Sequence, residues 1–300
     1  MSNWTADSIP DQTGRTAIVT GANTGIGFET ALELARKGAR VILACRSAQK
    51  GQAAVERLRG EDSGFDVSLE LLDLSDLDSV RAFAARVRSA HDRLDLLILN
   101  AGVMVPPESK TAQGFELQFG VNHLGHFALT GELLPLLQQT DGARVVAVSS
   151  IAAQQGKMRF DDLQFTQGYS PWQAYGQSKL ANQLFVRELQ RRLSQSGSAV
   201  RVTAAHPGWT ATDLQRTSGI ARFLNPILAM KTPQGALPTL RAATDPEALE
   251  ADYFGPSGWM QMRGYPVRVP MVKQAQDTGA ASRLWEVSEE LTGTRYDLAN

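Results

Sequence analysis

Short apolar runs alternate with helix-like amphipathic runs along the first two thirds of the chain. Short apolar runs bounded by turn residues are typical of buried strands, and here they are residues 15–20, 41–44, 67–72, 94–99, 145–148 and 200–205. The helix-like runs are residues 26–37, 48–58, 77–90, 111–137 and 173–193. Because crossovers between parallel strands are right-handed, this alternation predicts an α/β fold, a doubly wound parallel sheet with helices on both faces.

The alternation ends at His206-Pro207-Gly208, and proline and glycine divide the rest of the chain into shorter pieces. A loop-rich tail is predicted from Tyr253 onward. No linker-like stretch marks a second domain. The chain is therefore predicted to be one domain over residues 1–300, with a core at residues 14–212 and an extension at residues 213–300 that serves as a substrate lid.

The overall composition favours a small-molecule ligand. The 300 residues include 30 basic and 31 acidic side chains, intermixed along the chain, and the formal net charge is −1. This balance provides no electrostatic attraction for nucleic acid or an anionic membrane. No apolar run approaches the ~20 residues of a membrane span, and residues 1–14 lack the apolar segment of a secretory signal. These features predict a cytoplasmic protein without a membrane span or a nucleic-acid partner.

Potential metal ligands are few and scattered. The single cysteine, Cys45, excludes an internal disulfide, and the four histidines are dispersed. His123 and His126 lie three residues apart in a predicted helix, but no cysteine or carboxylate cluster accompanies them. We predict that they pack in the interior, and that the protein has no metal site.

A glycine-rich turn joins the first predicted strand to the first predicted helix. Gly21, Gly25 and Gly27 lack a Cβ, so the backbone can turn tightly and a pyrophosphate can approach it. The helix N-terminus adds unpaired N–H groups and a partial positive charge. The spacing is G-x-x-x-G-x-G, and strand, turn and helix follow in the order of Rossmann-type dinucleotide-binding folds. A phosphate-binding turn is therefore favoured over a flexible connecting loop.

Tyr175 and Lys179 lie four residues apart in the predicted helix at residues 173–193. This spacing places the phenol and the ammonium on one helix face, one turn apart. A free phenol has a pKa near ~10, and a neighbouring cation lowers that pKa because it favours the phenolate. The pair is thus predicted to exchange a proton near neutral pH, although Tyr-x-x-x-Lys alone also occurs at ordinary surface positions.

Six motifs follow one another along residues 14–212. They are Thr20-Gly21-Ala22-Asn23-Thr24-Gly25-Ile26-Gly27, Asn100-Ala101-Gly102, Asn122, Ser149-Ser150, Tyr175-x-x-x-Lys179 and Pro207-Gly208. This ordered set resembles the short-chain dehydrogenase/reductase family. Ala44-Cys45-Arg46 and residues 121–127 and 178–182 are most similar to the branch that contains retinol dehydrogenases, the WW-domain oxidoreductase and protochlorophyllide reductases.

The resemblance implies a hydride transfer between a nicotinamide and a carbonyl or alcohol, in which Tyr175 exchanges the proton. Lys179 would lower the pKa of Tyr175 and hydrogen-bond to the nicotinamide ribose. Ser150 would hold the substrate oxygen; it is preferred to Ser149 because the family's catalytic serine is usually the second of such a pair. Asn122 would stabilise a helix kink and a water that relays protons to Lys179, or else is a polar helix residue with a local backbone partner.

The resemblance also implies a nucleotide site. Asp73 would accept a hydrogen bond from the adenine amino group, although an aspartate at a strand end is also an ordinary helix cap. The loop after the sixth strand would bend over the nicotinamide. The implied cofactor-binding residues are Gly21, Asn23, Thr24, Gly25, Ile26, Gly27, Arg46, Asp73, Leu74, Asn100, Ala101, Gly102, Tyr175, Lys179, Pro207, Gly208, Thr210 and Thr212.

The end of the second predicted strand favours NADP(H) over NAD(H). NAD-dependent enzymes with related folds place an acidic residue here, which binds the ribose 2′-hydroxyl and repels a 2′-phosphate. This chain has Cys45 at that position, and the neighbouring Arg46 has the planar charged group that suits a phosphate. Asn23 would donate a further hydrogen bond. The alternative is that Arg46 is a solvated surface charge.

We predict an NADP(H)-dependent oxidoreductase for a medium-sized apolar ketone, aldehyde or secondary alcohol. The alternative is a catalytically silent protein that senses the nucleotide on the same fold. Residues 158–172 are expected at the pocket rim, and a homo-oligomer is possible by analogy with the family. The apolar residues expected in the lid are Trp209, Phe223, Leu224, Trp259, Met260 and Met262.

Overall fold

The computed structural model describes residues 3–210 and 230–298. Within these residues one sheet is formed by β1 Thr16–Thr20, β2 Arg40–Cys45, β3 Val67–Leu71, β4 Leu96–Leu99, β5 Arg144–Val148, β6 Arg201–Ala205, β7 Tyr253–Pro256 and β8 Pro266–Arg268. The strand order is β3-β2-β1-β4-β5-β6-β7-β8. Every neighbouring pair is parallel except β7 and β8, which are antiparallel.

The helices of the described chain are α1 Gly25–Arg36, α2 Ala48–Glu61, α3 Leu77–Ala90, α4 Leu117–Phe119, α5 Gly125–Gln138, α6 Pro171–Gln195, α7 Thr232–Thr244 and α8 Thr278–Thr292. A π-helical segment, Gly120–Leu124, joins α4 to α5. Short 3-10 helices lie at Ala6–Ser8, Ile151–Gln155 and Lys273–Gln276, and Trp259–Gln261 forms a tight turn with a non-helical conformation at Met260.

Helices cover both faces of the sheet, which explains why the central strands read as continuous apolar runs. β1, β4 and β5 are buried along their whole length. On one face α1, α2 and α7 enclose a core that includes Phe28 and Phe254. On the other face α3, α5 and α6 enclose a core that includes Phe83 and Leu184. The predicted doubly wound fold is confirmed, and each of the six predicted strands is present.

The helix predicted at residues 111–137 starts later than the sequence suggests. Residues before α4 form a turn closed by a β-bridge between Lys110 and Glu116. The Glu116 carboxylate then accepts hydrogen bonds from the backbone N–H groups of Gln118 at 2.9 Å and Phe119 at 2.7 Å, and so caps the helix. Glutamate is not among the preferred N-cap residues, so the sequence carried little signal for this boundary.

Much of the predicted lid extension is part of the sheet architecture. β7 pairs in parallel with β6, β8 pairs with β7, and α7 packs against α1. The tail that was predicted to be loop-rich from Tyr253 thus contains two strands and α8. Residues 211–229, which include the predicted boundary at residue 212, lie outside the described residues.

α8 forms a third layer over α5 and α6. The ring of Trp285 lies 5.1 Å from that of Phe127, 6.2 Å from that of Phe185 and 4.5 Å from that of Tyr296, measured between centroids. The Tyr296 hydroxyl donates a hydrogen bond to the Phe127 carbonyl at 2.7 Å. The face of the two long helices is therefore covered by the chain's own C-terminal part.

Among the helices that the structure describes, none combines the length and the apolar character needed to cross a membrane.

Candidate active site

A cavity of about 1100 Å³ opens at the carboxyl ends of the parallel strands. The segments that follow β1 to β6 all contribute to its wall, and the strand order reverses between β1 and β4 beside it. Ligands of doubly wound sheets bind at this kind of position, because the loops that leave the strands diverge there.

The glycine turn lies at the base of this cavity. Gly21 and Gly25 have φ values of 67° and 59°, which is the left-handed region that favours glycine. A Cβ on Gly27 would lie 2.4 Å from Asn100 Nδ2 and 2.6 Å from the Gly21 carbonyl oxygen, so no side chain fits there. α1 begins at Gly25, and its first N–H groups have no acceptor inside the helix. A closely approaching backbone and a helix N-terminus suit a pyrophosphate.

Thr20 begins the glycine motif, and its side chain, to which the sequence assigned no role, joins the glycine turn to the loop after β4. Its hydroxyl oxygen accepts hydrogen bonds from the N–H groups of Asn100 and Ala101, each at 2.9 Å. The Asn100 side chain in turn donates to the Thr20 carbonyl at 2.8 Å. The two loops therefore hold each other in place below the cavity.

Three cationic side chains, Arg46, Lys50 and Arg57, line the cavity where β2 ends and along α2. Lys50 and Arg57 are on α2 and were missed; their spacing of seven residues places them on one helix face, which was the available signal. Arg57 also lies over the Phe28 ring, with its guanidinium carbon 4.0 Å from the centroid. Cys45 does not line the cavity: burial raises the pKa of its thiol to about 11, and the N–H groups of Ala22 and Asn23 donate to it.

Ser150, Tyr175 and Lys179 meet on the cavity wall. Burial raises the pKa of Tyr175 to about 12, and hydrogen bonding to Ser150 offsets only part of this rise. Burial lowers the pKa of Lys179 to about 8. The Lys179 ammonium lies 5.8 Å from the Tyr175 ring centroid and donates to the Val148 carbonyl at 3.1 Å.

The pKa of Tyr175 thus differs from the sequence-based expectation. A neighbouring lysine was expected to bring it near neutrality, but the loss of hydration around a fully buried phenol is the larger effect. Tyr175 therefore keeps its proton at neutral pH in the protein alone.

The two serines after β5 have different environments. The Ser149 hydroxyl is buried and donates to the Lys179 carbonyl at 2.7 Å. The Ser150 hydroxyl accepts a hydrogen bond from the Ala152 N–H at 3.2 Å, lines the cavity with Tyr175 and acts to lower the pKa of that phenol. This geometry is consistent with the choice of Ser150 as the residue that meets a substrate oxygen.

Asn122 lies within the π-helical segment and is fully buried, behind the cavity wall. Its side chain accepts from the Val103 N–H at 2.8 Å, and donates to the Val103 carbonyl at 3.0 Å and to Ser178 at 2.9 Å. Its own carbonyl accepts from His126 Nδ1 at 3.1 Å. Asn122 therefore joins the distorted helix to the loop after β4 and to α6, and its part in a proton relay remains a prediction.

The two histidines that were weighed as metal ligands make other contacts. His123 Nε2 lies 2.8 Å from Ser288 Oγ, and His126 Nε2 lies 3.0 Å from Thr20 Oγ1. In residues 3–210 and 230–298, no group of three or more histidine, cysteine, aspartate or glutamate side chains is arranged to hold a metal ion.

Asp73 lines the cavity and also stabilises its own turn. Its Oδ1 accepts hydrogen bonds from the N–H of Ser75 at 2.9 Å and from the Ser75 hydroxyl at 2.6 Å. Both roles considered from the sequence are therefore compatible with its position. Every other predicted cofactor residue in the described chain also lines the cavity: Gly21, Asn23, Thr24, Gly25, Ile26, Gly27, Arg46, Leu74, Asn100, Ala101, Gly102, Tyr175, Lys179, Pro207, Gly208 and Thr210.

The predicted lid is only partly described. Trp209, Met260 and Met262 line the cavity, whereas Trp259 does not and is 77% exposed. Thr212, Phe223 and Leu224 lie outside the described residues. Of residues 158–172, which were expected at the rim, only Trp172 reaches the wall. The remainder of that segment does not line the cavity, and Asp162 within it forms a turn by accepting from Thr166 and Gln167.

Comparison with known proteins identifies the family. A family model described as short chain dehydrogenase matches residues 15–221. The chain belongs to the short-chain dehydrogenase family. Retinol dehydrogenase 12 of Mus musculus is 45% identical over 290 residues, which are 95% of this chain and 88% of that protein. This similarity confirms the predicted retinol dehydrogenase branch, and the chain is an oxidoreductase of a family that uses nicotinamide cofactors.

Two solved structures are informative among the similar short-chain dehydrogenase folds. An uncharacterised protein from Mycobacterium paratuberculosis is 42% identical with a TM-score of 0.83, and the match covers 98% of this chain and 99% of that one. A short chain dehydrogenase from Shigella flexneri, complexed with NADP, is 28% identical with a TM-score of 0.63 over 80% of this chain and 95% of that one.

Proposed function

We propose that this protein is an NADP(H)-dependent oxidoreductase that interconverts a medium-sized apolar ketone or aldehyde with its alcohol. The observation that carries the proposal is the meeting of Ser150, Tyr175 and Lys179 on the wall of the same cavity that contains the glycine turn. A phenol that shares the cavity wall with a serine hydroxyl and a buried lysine can position a carbonyl oxygen and exchange a proton with it.

The roles of the residues follow from their protonation states. The bound cofactor would supply or accept the hydride. Ser150 would donate a hydrogen bond to the substrate oxygen, and Tyr175, protonated at neutral pH, would give that oxygen its proton during reduction. Lys179 carries a positive charge below a pKa of about 8, and this charge favours the phenolate that remains. In oxidation the same groups act in reverse.

The preference for NADP(H) rests on the cationic end of the cavity. Arg46 and Lys50 are exposed side chains at its wall, and Arg57 lies on the same face of α2 as Lys50. A ribose 2′-phosphate beside them would meet positive charge, and no acidic side chain follows β2 to repel it. The Shigella flexneri relative with bound NADP is consistent with this preference.

The preference for apolar substrates rests on the part of the wall that is supplied by the start of α6, the loop after β6 and the turn between β7 and β8. Trp172, Trp209, Met260 and Met262 lie there, and none of them carries a charge. Aromatic and thioether side chains favour apolar ligands through contact area and polarisability. Residues 14–212 would thus hold the cofactor, and parts of residues 213–300 would contact the substrate.

Replacement of Tyr175 by phenylalanine tests the proposal. Tyr175→Phe removes the transferable proton but keeps the ring, so kcat for NADPH-dependent reduction of decanal, benzaldehyde and cyclohexanone should fall about 10²- to 10⁴-fold. The dissociation constant of NADPH should stay nearly unchanged. Tyr265→Phe, at an exposed tyrosine whose side chain does not line the cavity, is the matched control and should retain activity.

Two results would contradict the proposal. Reduction by Tyr175→Phe within a few-fold of wild type would exclude the proton transfer by this phenol. A wild-type protein that binds NADPH but reduces no carbonyl compound would indicate the alternative, a nucleotide-sensing protein.

A further inference from the structure

The turn between β7 and β8, residues 257–265, forms part of the cavity wall through Met260 and Met262. Met260 and Gln261 both have left-handed backbone conformations, with φ values of 50° and 57°. Residues with a side chain adopt this conformation only at a cost, and two in succession require support from their surroundings. Contacts from neighbouring segments must therefore keep this turn in place.

His206, the residue after β6, makes one such contact. Its Nε2 lies 2.9 Å from Oε1 of Gln261, and its Nδ1 lies 3.3 Å from the N–H of Gly208. The Gly208 N–H is a donor, so Nδ1 must be the unprotonated nitrogen; Nε2 then carries the proton and donates to Gln261. Burial lowers the pKa of His206 to about 4, so the neutral ring that both bonds require is present at neutral pH.

Close packing fixes the imidazole in this position. A Cβ on Gly255 of β7 would lie 2.0 Å from His206 Nε2, so the ring occupies space that only glycine leaves free. The ring also lies 5.2 Å from the Tyr253 ring, between centroids. The imidazole is thus held against β7 while it bonds to the turn beyond that strand.

The loop after β6 and the turn are joined at a second point. The Trp209 N–H donates to the Met262 carbonyl at 2.9 Å. A Cβ on Gly208, whose φ is 64°, would lie 2.5 Å from the same carbonyl oxygen. Loss of the hydrogen bond between His206 and Gln261 would therefore alter the positions of the neighbouring residues Met260 and Met262.

We propose that His206 and Gln261 are positioning residues that hold Met260 in the cavity wall and so determine how tightly bulky apolar carbonyl substrates bind. Neither residue exchanges a proton with the substrate. This inference rests on the proposed function, because it specifies which contacts select the substrate at that site. It separates the strength of substrate binding from the proton chemistry of Tyr175.

Gln261→Leu is the principal test. Leucine keeps the size of the side chain but accepts no hydrogen bond from His206. We expect KM for decanal to rise about fivefold while kcat and KM for NADPH stay within about twofold, because the lost interaction orients substrate and takes no part in the chemical step. Gln276→Leu, an exposed glutamine in the same C-terminal part of the chain, should behave as wild type.

Two further variants distinguish positioning from general damage. His206→Asn can still accept from the Gly208 N–H but is too short to reach Gln261, so it should reproduce the KM increase. Met260→Ala should also raise KM for decanal, with little effect on KM for acetaldehyde, which is too small to reach the wall. Amide hydrogen exchange provides a readout independent of activity: residues 258–263 should exchange faster in Gln261→Leu and His206→Asn but not in Gln276→Leu.

The outcomes separate the two proposals. Unchanged exchange of residues 258–263 in Gln261→Leu would show that the bond does not hold the turn. Faster exchange with an unchanged KM for decanal would show that the turn does not position substrate. If the wild-type protein reduces no carbonyl compound, the proposed function is wrong, and so is the role of His206 and Gln261 in substrate binding. The hydrogen-exchange result would still decide whether the bond between them holds the turn.

Discussion

At the scale of single residues, the proton chemistry depends on two buried groups whose pKa values move in opposite directions. Burial favours the uncharged form of each, so the pKa of Tyr175 rises to about 12 and that of Lys179 falls to about 8. Between these pKa values the phenol is still protonated, whereas the amine has lost its charge. The direction of catalysis should therefore depend on pH.

We expect kcat/KM for carbonyl reduction to fall above a pH of about 8. Lys179 loses its proton there, and the charge that favours the phenolate disappears. Alcohol oxidation needs a deprotonated Tyr175 and should instead increase with pH. The measurement is kcat/KM for decanal and for decanol across pH, since this ratio reports groups of the free enzyme. Lys179→Met should remove the alkaline decline in reduction; persistence of the same decline would assign it to another group.

Cofactor choice also belongs to this scale. Arg46→Ala should lower kcat/KM for NADPH about 10- to 100-fold and leave that for NADH nearly unchanged, because a charged hydrogen bond contributes about 1.5–3 kcal/mol. Arg86→Ala removes an exposed arginine paired with Glu70, away from the cavity, and controls for net charge. A wild-type preference for NADH would refute the assignment of Arg46.

At the scale of elements, three helical segments position the residues of the candidate active site. α6 supplies Tyr175 and Lys179, and the π-helical segment before α5 supplies Asn122, which bonds to Ser178 of α6. α8 covers both helices from outside through Trp285. α8 contributes no residue to the cavity, but it packs against α6, which carries Tyr175 and Lys179.

Trp285→Ala tests the structural contribution of α8. The indole is 2% exposed and also lies 4.6 Å from the Arg192 guanidinium carbon, so its loss should lower the free energy of unfolding by about 3–5 kcal/mol. Urea denaturation measures this. Trp259→Ala, at a side chain that is 77% exposed, should change the free energy by no more than about 0.5 kcal/mol. Equal effects of the two substitutions would mean that α8 does not stabilise the fold.

At the scale of the whole molecule, three buried histidines make stability depend on pH. Burial lowers the pKa of His123 and of His126 to about 3, and that of His206 to about 4. An unfolded histidine has a pKa of about 6.5 and binds a proton first as pH falls. The contribution of these histidines to the free energy of unfolding is therefore fully present above a pH of about 6.5. It is lost progressively as the pH falls toward their pKa values in the folded protein.

Acidification from neutral pH to about pH 5 should cost about 2 kcal/mol of unfolding free energy per buried histidine. His123→Phe tests this best, because His123 lies among the rings of Phe119, Phe127 and Phe185 and its Nδ1 has no hydrogen-bond partner. The variant should keep its stability at neutral pH and lose less on acidification. Urea midpoints at both pH values measure this, and an unchanged pH dependence would show that His123 does not contribute.

The sequence by itself determined the order of strands and helices, the glycine turn and the proximity of Tyr175 to Lys179. These depend on short-range properties: apolar periodicity, the conformational freedom of glycine and the geometry of a helix turn. The position of the site at the carboxyl ends of the strands also follows from the parallel arrangement that the alternation implies. The family's ordered motifs then supplied the candidate roles.

Only the tertiary structure decided what depends on burial and on contacts between distant segments. The pKa of Tyr175 rises because of the loss of water around it, which the distance to Lys179 along the helix does not reveal. β7, β8 and α8 form where an irregular tail was expected, because β6 offers a free edge and the two long helices offer an apolar face. His206 contacts Gln261, which is 55 residues away in the sequence, and no local sequence pattern encodes a contact over that separation.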